Sequence, residues 1–257
     1  MNRFAAGTFA PDPRPSAPLR MLAAQTRLEL ILLLRNGEQI LLTMLIPITL
    51  LVGLTLLPFG DIAEPRVATI VPAVMMVAVM STAFTGQAIA VGFDRRYGAL
   101  KRLGATPLPR WGIIAGKSSA VLLVVVLQAV VLGVIGVLLG WRPDVGGLAL
   151  GAVAIALGTV AFAAMGLLLG GTLKAEVVLA VANLAWFVLL GIGSIVFAPD
   201  SLPAWLHVVA QLVPSGALAA TLRDALDLTV NWYGVVVLAA WAVGCGWLAT
   251  RLFRFTA

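Results

Sequence analysis

The sequence predicts an all-α integral membrane protein with six transmembrane helices, and three observations carry that prediction. Hydrophobic residues make up 61% of the 257 residues and charged residues 11%, against roughly 45–50% and 25% in soluble globular chains. Several charge-free stretches reach the ~20 residues that a membrane helix needs. The basic residues between those stretches fall mostly on one side of the membrane, as the positive-inside rule requires. The composition argues against a soluble enzyme, a disordered chain and a soluble DNA-binding module. The net charge of +6 reads as loops facing anionic lipid, not as nucleic-acid binding. One cysteine, Cys245, leaves no intrachain disulfide. One histidine, His207, leaves no multi-histidine metal site.

The first element is the amino-terminal tail. Residues 1–18 carry Pro11, Pro13, Pro15 and Pro18 and no apolar run, so they read as a disordered cytoplasmic tail, not a signal peptide. Leu19–Asn36 follows. At 100° per residue Leu19, Leu22, Ala23, Leu30, Leu33 and Leu34 share one stripe, with Arg20, Arg27 and Arg35 opposite. That pattern predicts a helix lying in the membrane interface.

The six spans come next: Gln39–Gly60, Val67–Phe93, Ser118–Trp141, Val145–Leu173, Val177–Pro199 and Leu228–Thr250. Ser201–Leu222 is also free of Asp, Glu, Lys and Arg, but Pro203 and the run Pro214-Ser215-Gly216 interrupt it. Proline and glycine there break a helix, so the segment reads as two half-helices that enter the membrane and return. Six spans put both termini on one side. That side carries Arg3, Arg14, Arg20, Arg27, Arg35, Arg95, Arg96, Lys101, Arg102, Arg110, Lys117, Lys174, Arg251 and Arg254. The other side carries Arg66, Arg142 and Arg223. The imbalance places both termini in the cytoplasm.

The longest cytoplasmic loop, Asp94–Lys117, holds six basic residues and one acid, interleaved with Tyr97, Leu100, Leu103, Leu108 and Trp111. Asp94 is suited to cap a short helix to about Leu103, with Gly104 ending it and Pro107 preventing its restart. Such a helix suits a groove on a cytosolic partner, with Leu100 and Leu103 as anchor and Arg95, Arg96, Lys101 and Arg102 as orienting charges. The competing reading is a solvated loop held by anionic lipid.

This stretch resembles the loop after the second span of ABC-2 type transporter permeases. In that family an acidic-basic-x-x-Gly start leads into a coupling helix, a Thr-Pro follows, and a Gly-Lys heads the third span. The matching residues are Asp94-Arg95-Arg96-Tyr97-Gly98, Leu103, Thr106-Pro107 and Gly116-Lys117. Asp94 stands where Glu is more usual. The order of interfacial helix, six spans and broken outer hairpin agrees over roughly residues 19–250. The resemblance implies an ABC-2 type transmembrane domain over 19–257, a half-transporter paired with a second copy or a homologous permease. It implies a separate cytosolic ATPase subunit that uses ATP and Mg, no cofactor on this chain, and export as the usual direction. The coupling segment then comprises Asp94, Arg95, Arg96, Tyr97, Gly98, Leu100, Lys101, Arg102, Leu103, Thr106 and Pro107. Arginine over lysine and abundant alanine suggest a GC-rich bacterial genome, and hence the bacterial cytoplasmic membrane.

Other signals are weaker. Gly112–Ser118 looks like a phosphate-binding loop but has three residues between the glycines where four are needed, and no preceding strand. GxxxG spacing at Gly112/Gly116, Gly136/Gly140, Gly147/Gly151 and Gly166/Gly170 reads first as close packing within one subunit and second as a dimer seam. Gln87, Gln128 and Asn183 lie inside spans, and Met75, Met76, Met80, Phe84 and Trp186 are suited to line a greasy path. Packing and interhelical hydrogen bonding compete with that reading. No span carries Asp, Glu, Lys or Arg, which counts against a proton-driven antiporter and a membrane enzyme acting on lipid. His207 with Ser201, Ser215 or Asp200 is a poor triad, since a triad is a geometry and not a residue list. Missing buried charge favours an apolar drug, lipid-like compound or polyketide as substrate.

Overall fold

The computed structural model describes residues 16–57, 65–106, 108–197 and 203–253. Among them the chain is helices joined by short turns, with no strand. Helix α1 (Pro18–Arg35) precedes α2 (Gly37–Leu56). Helix α3 (Arg66–Val79) runs through a π-helical segment, Met80–Gly86, into α4 (Gln87–Arg96), so that 66–96 is one apolar rod. After the short α5 (Ala99–Gly104) come α6 (Arg110–Leu138), α7 (Val145–Thr172) and α8 (Ala175–Ser194), which closes in a 3-10 turn, Ile195–Phe197. Helices α9 (Ala204–Leu212) and α10 (Pro214–Leu226) precede α11 (Trp232–Leu252).

Five of these helices are long and apolar enough to cross a membrane. The apolar part of α2, Thr43–Leu56, is shorter; the rest of that predicted span, 58–60, lies outside the described residues. The amino-terminal tail to residue 15, Pro107, Asp200, Ser201 and Arg254 lie outside them too.

Two regions differ from the sequence reading. Helix α6 begins at Arg110, so Lys117 stands two turns inside it and is buried. A buried lysine therefore does belong to a membrane helix, at its end. The protein-facing side of α1 is also rotated from the predicted stripe. Gln25 and Glu29 are buried, Leu22 and Leu33 half-buried, and Leu19 and Leu34 exposed. The three arginines stay outward, but two polar side chains hold the inner face.

The hairpin before α11 breaks as Pro214 predicts. Helices α9 and α10 meet at 95°. Pro214 takes the first helical position of α10, where its missing N–H costs nothing. Two residues on, Gly216 lies against the Ala210 carbonyl, which leaves no room for a Cβ. Pro214–Leu222 is buried throughout, so α10 plugs one end of the bundle. Helix α9 turns Trp205, Val208 and Leu212 outward.

The core lies where α7 meets α10, the π segment and α4. Helix α7 is built for close approach. Gly158 receives the Leu218 side chain, and Gly166 and Gly170 face the backbone oxygens of Phe84 and Ala88. Small residues at one-turn spacing let two membrane backbones touch. Of the GxxxG glycines, Gly116, Gly136, Gly147, Gly166 and Gly170 all pack against this same chain, whereas a Cβ at Gly151 would meet nothing.

That contrast is testable. Gly170→Ala drives a methyl into a backbone carbonyl, and overpacking of this kind costs about 1–3 kcal/mol. Its melting midpoint in detergent should fall by several degrees, while Gly151→Ala should melt with the parent protein. Equal melting of the two variants would refute the packing assigned to α7.

Candidate functional site

The segment predicted as one basic loop is three structures in a row. Asp94, Arg95 and Arg96 form the last turn of α4. Gly98 then adopts a left-handed conformation, φ 72°, which ends α4 and starts α5 in a new direction. Its carbonyl accepts from Arg102 N–H at 3.1 Å. The start of α5 is therefore Gly98, with no side-chain cap, and the expectation that Asp94 caps it is corrected.

Asp94 has a different partner. Lys117 Nζ donates to Asp94 Oδ2 at 2.6 Å and to Glu29 Oε2 at 2.8 Å, and Gln25 Nε2 donates to Glu29 Oε1 at 2.8 Å. One ammonium thus ties α4, α6 and α1. Gly116 is needed beside it, because Gln25 of α1 occupies the space that a Cβ there would take. The Gly-Lys pair is a close approach followed by an ion pair.

The next two residues bind other helices. Arg95 is buried and its Nη1 donates to the carbonyls of Gly170 and Leu173, both at 2.9 Å. Those carbonyls close the end of α7, where intrahelical donors run out and partial negative charge collects. Arg96 pairs with Glu176 in the first turn of α8. Three consecutive residues, about 100° apart around the helix, therefore clamp the end of α4 to α6, α7 and α8.

Helix α5 leaves this clamp with one face in and one face out. Leu100 is fully buried among Val91, Ile113, Leu167 and Ala249, with Leu103 half-buried beside it. The expectation that Leu100 anchors a partner is overturned: its side chain fastens α5 to its own subunit. The outward apolar groups are Tyr97 and Trp111, 67% and 52% exposed, with Lys101, Arg102 and Thr106 also exposed. Tyr97 stacks on Phe93 at 5.9 Å and lies under the Arg96 guanidinium. Thr106 Oγ1 donates to the Leu103 carbonyl at 2.6 Å and holds the end of α5. Pro107, also expected here, lies outside the described residues.

The residues proposed for a substrate path do not form one surface. Met76, Met80 and Phe84 are core residues, and Phe84 packs at 6.5 Å from Phe162. Gln128 accepts from Thr82 at 3.0 Å and donates to the Thr43 carbonyl at 2.9 Å, which ties α2, the π segment and α6. Gln87 faces a small chamber shared with Glu29, Thr82 and Lys117, and its amide has no partner among the described residues. Only Asn183 and Trp186 line an open groove, about 450 Å³, between α2, the π segment and α8. Ser81, Thr85, Ile46 and Phe187 also line it, and none of its described lining residues is ionisable. Trp186 Nε1 donates to Ser81 Oγ at 3.0 Å and sets the wall. Among the described residues no cluster of three metal-ligating side chains occurs.

Sequence reading missed Gln25 and Glu29. Their one signal was a Gln and a Glu four residues apart, away from the arginine face of the helix. Lys117→Met leaves Glu29 buried without its cation, a change that typically costs about 3–5 kcal/mol. A large loss of thermal stability is expected, partly recovered by adding Glu29→Gln. Recovery separates an unpaired charge from a lost packing contact, and a double variant no better than the single one would contradict the pairing.

The sequence model of the ABC-2 type transporter family matches residues 22–226, from α1 to the end of α10. No curated protein matches the chain. The match covers well over half of the molecule and includes the clamp, α5 and the broken hairpin. The chain belongs to the ABC-2 type transporter family and is a permease component of an ABC transporter.

Proposed function

We propose that the chain is the permease of an ABC exporter in a bacterial cytoplasmic membrane, with both termini in the cytoplasm. A second copy or a homologous permease completes the route, and a separate cytosolic subunit binds ATP and Mg and hydrolyses the nucleotide. The observation that carries this reading is the pairing of an exposed docking face with a rigid mount. Tyr97, Lys101, Arg102 and Trp111 face outward from α5 and its flanks, directly beside a turn clamped to three helices.

The ATPase receives Tyr97 and Trp111 in an apolar recess, while Lys101 and Arg102 meet its acidic rim. Aromatic groups of this kind supply most of the energy in a small interface, and rim charges supply steering and orientation. Movement of the ATPase then shifts α5 together with the ends of α4, α6, α7 and α8. The groove bearing Asn183 and Trp186 suits a neutral, largely apolar molecule with one or two hydrogen-bonding groups. A fixed charge on the substrate would find no partner among the groove's described lining residues.

The test is co-purification from the native cell, with nucleotide-binding subunits identified by mass spectrometry. Tyr97→Ala should weaken the complex about thirtyfold, the equivalent of ~2 kcal/mol. Lys101→Glu with Arg102→Glu should weaken it at low salt, and less so as ionic strength rises. Retention of the same ATPase by parent and variants alike would show that α5 is a lipid-facing loop.

A further inference from the structure

An apolar groove of about 530 Å³ opens on the side of the molecule away from α5. It is walled by Val130, Val134 and Leu138 of α6, Leu148 and Ile155 of α7, and Met75 of α3. The wall is almost wholly apolar, so a polar ligand would lose its hydration without replacement. Its mouth lies where α6 turns into α7, and Trp141 and Pro143 line it there. Between them stands Arg142, exposed and without a partner among the described residues. The neighbouring carboxylate, Asp144, is occupied in accepting from Gly146 N–H at 2.7 Å as the cap of α7.

A helix of a second copy is about 10 Å across and would reach into this open groove only with its side chains; the cysteine pair below tests for it. A single flexible hydrocarbon chain does fit. The floor is kept low by Gly133 and Gly151, and this chain's own packing does not demand either glycine. A Cβ at Gly151 would meet nothing, and one at Gly133 only Trp141, at 4.0 Å.

We infer that this groove binds one acyl chain of a membrane phospholipid whose phosphate pairs with Arg142. Guanidinium suits phosphate because two N–H groups meet two oxygens. Tryptophan at the same level is the ordinary membrane-interface residue. The site needs only that the chain spans a membrane. That the leaflet is the outer one rests on the orientation proposed above.

The test uses the full-length chain in nanodiscs containing phosphatidylglycerol with a photoactivatable diazirine on one acyl chain. Adducts mapped by mass spectrometry should concentrate on residues 130–141 and 148–156. Gly133→Leu with Gly151→Leu should reduce that labelling about tenfold, the equivalent of losing roughly two buried methylenes of binding. Arg142→Gln, a surface change that leaves the groove intact, should reduce capture of phosphatidylglycerol but not of an uncharged diazirine fatty alcohol. Even labelling over the exposed faces of α8 and α11, labelling unchanged in both variants, displacement of the label by a transported compound, or disulfide formation between two copies carrying Val134→Cys would each overturn the proposal. Arg142→Cys in a Cys245→Ser background reports the leaflet separately. Labelling of that cysteine from the cytoplasm would move the lipid to the other leaflet and refute the orientation, not the site.

Discussion

Asp94, Arg95 and Arg96 reach three different helices because consecutive residues of an α-helix point about 100° apart. Asp94 takes Lys117 of α6 and, through it, Glu29 of α1. Arg95 takes the last carbonyls of α7, and Arg96 takes Glu176 of α8. The three contacts differ in kind. The Arg96 pair is largely exposed and contributes under about 1 kcal/mol by itself. The Lys117 cluster is buried, so desolvation offsets much of its attraction; its effect is to fix which helices meet and in what register. Arg95 does both, since it satisfies helix-end carbonyls that would otherwise be buried unbonded. With Gly98 turning the chain immediately afterwards, α5 is mounted on this turn and on Leu100.

The remainder of the fold makes the clamp stiff. Helix α7 presses its glycines against the backbone of the π segment and α4, so α4 cannot slide along α7 without breaking van der Waals contact over two turns. Helix α10 fills the opposite end of the bundle and is held by Arg223 Nη1, which donates to the Val196 carbonyl at 2.9 Å. Between these fixed ends lies the π segment. Ser81 there donates to the Val77 carbonyl at 2.7 Å and accepts from Trp186, while Thr82 donates to Gln128. π-helical turns in long helices frequently mark functional sites, and this one carries one wall of the partly polar groove between α2 and α8.

Much of this architecture was legible in the sequence because it depends on one helix at a time. Charge-free length exposed the spans, and Pro214 with Gly216 exposed the break between α9 and α10. Lys101 and Arg102 read as outward charges, and both are exposed. Interactions between distant segments were illegible. Nothing local in the sequence says that Asp94 looks back to Lys117 and Glu29 instead of forward to cap α5, or that the inner face of α1 is centred on Gln25 and Glu29. Leu100 read as an anchor because an apolar residue among charges looks available; packing against Val91 and Ile113 removed it from the surface. Met76, Met80 and Phe84 read as greasy lining for the same reason, but all three are core, with Phe84 against Gly166 of α7 and Met76 against Gly193 of α8. The family resemblance pointed to the segment from Asp94 to Pro107 but not to the partners of its residues.

If the clamp is one rigid joint, the end of α4 carries motion from α5 to the far end of the bundle. In the proposed assembly of two permeases with an ATPase, nitroxide labels on Ser194→Cys in a Cys245→Ser background would report the spacing of the two α8 helices by pulsed electron spin resonance. ATP should shift that spacing in the parent complex. Arg95→Lys keeps the charge but loses the planar fork that holds both α7 carbonyls. This variant is expected to bind the ATPase and hydrolyse ATP, yet show little or no shift. An ATP-driven shift of the same size in Arg95→Lys would contradict the rigid joint.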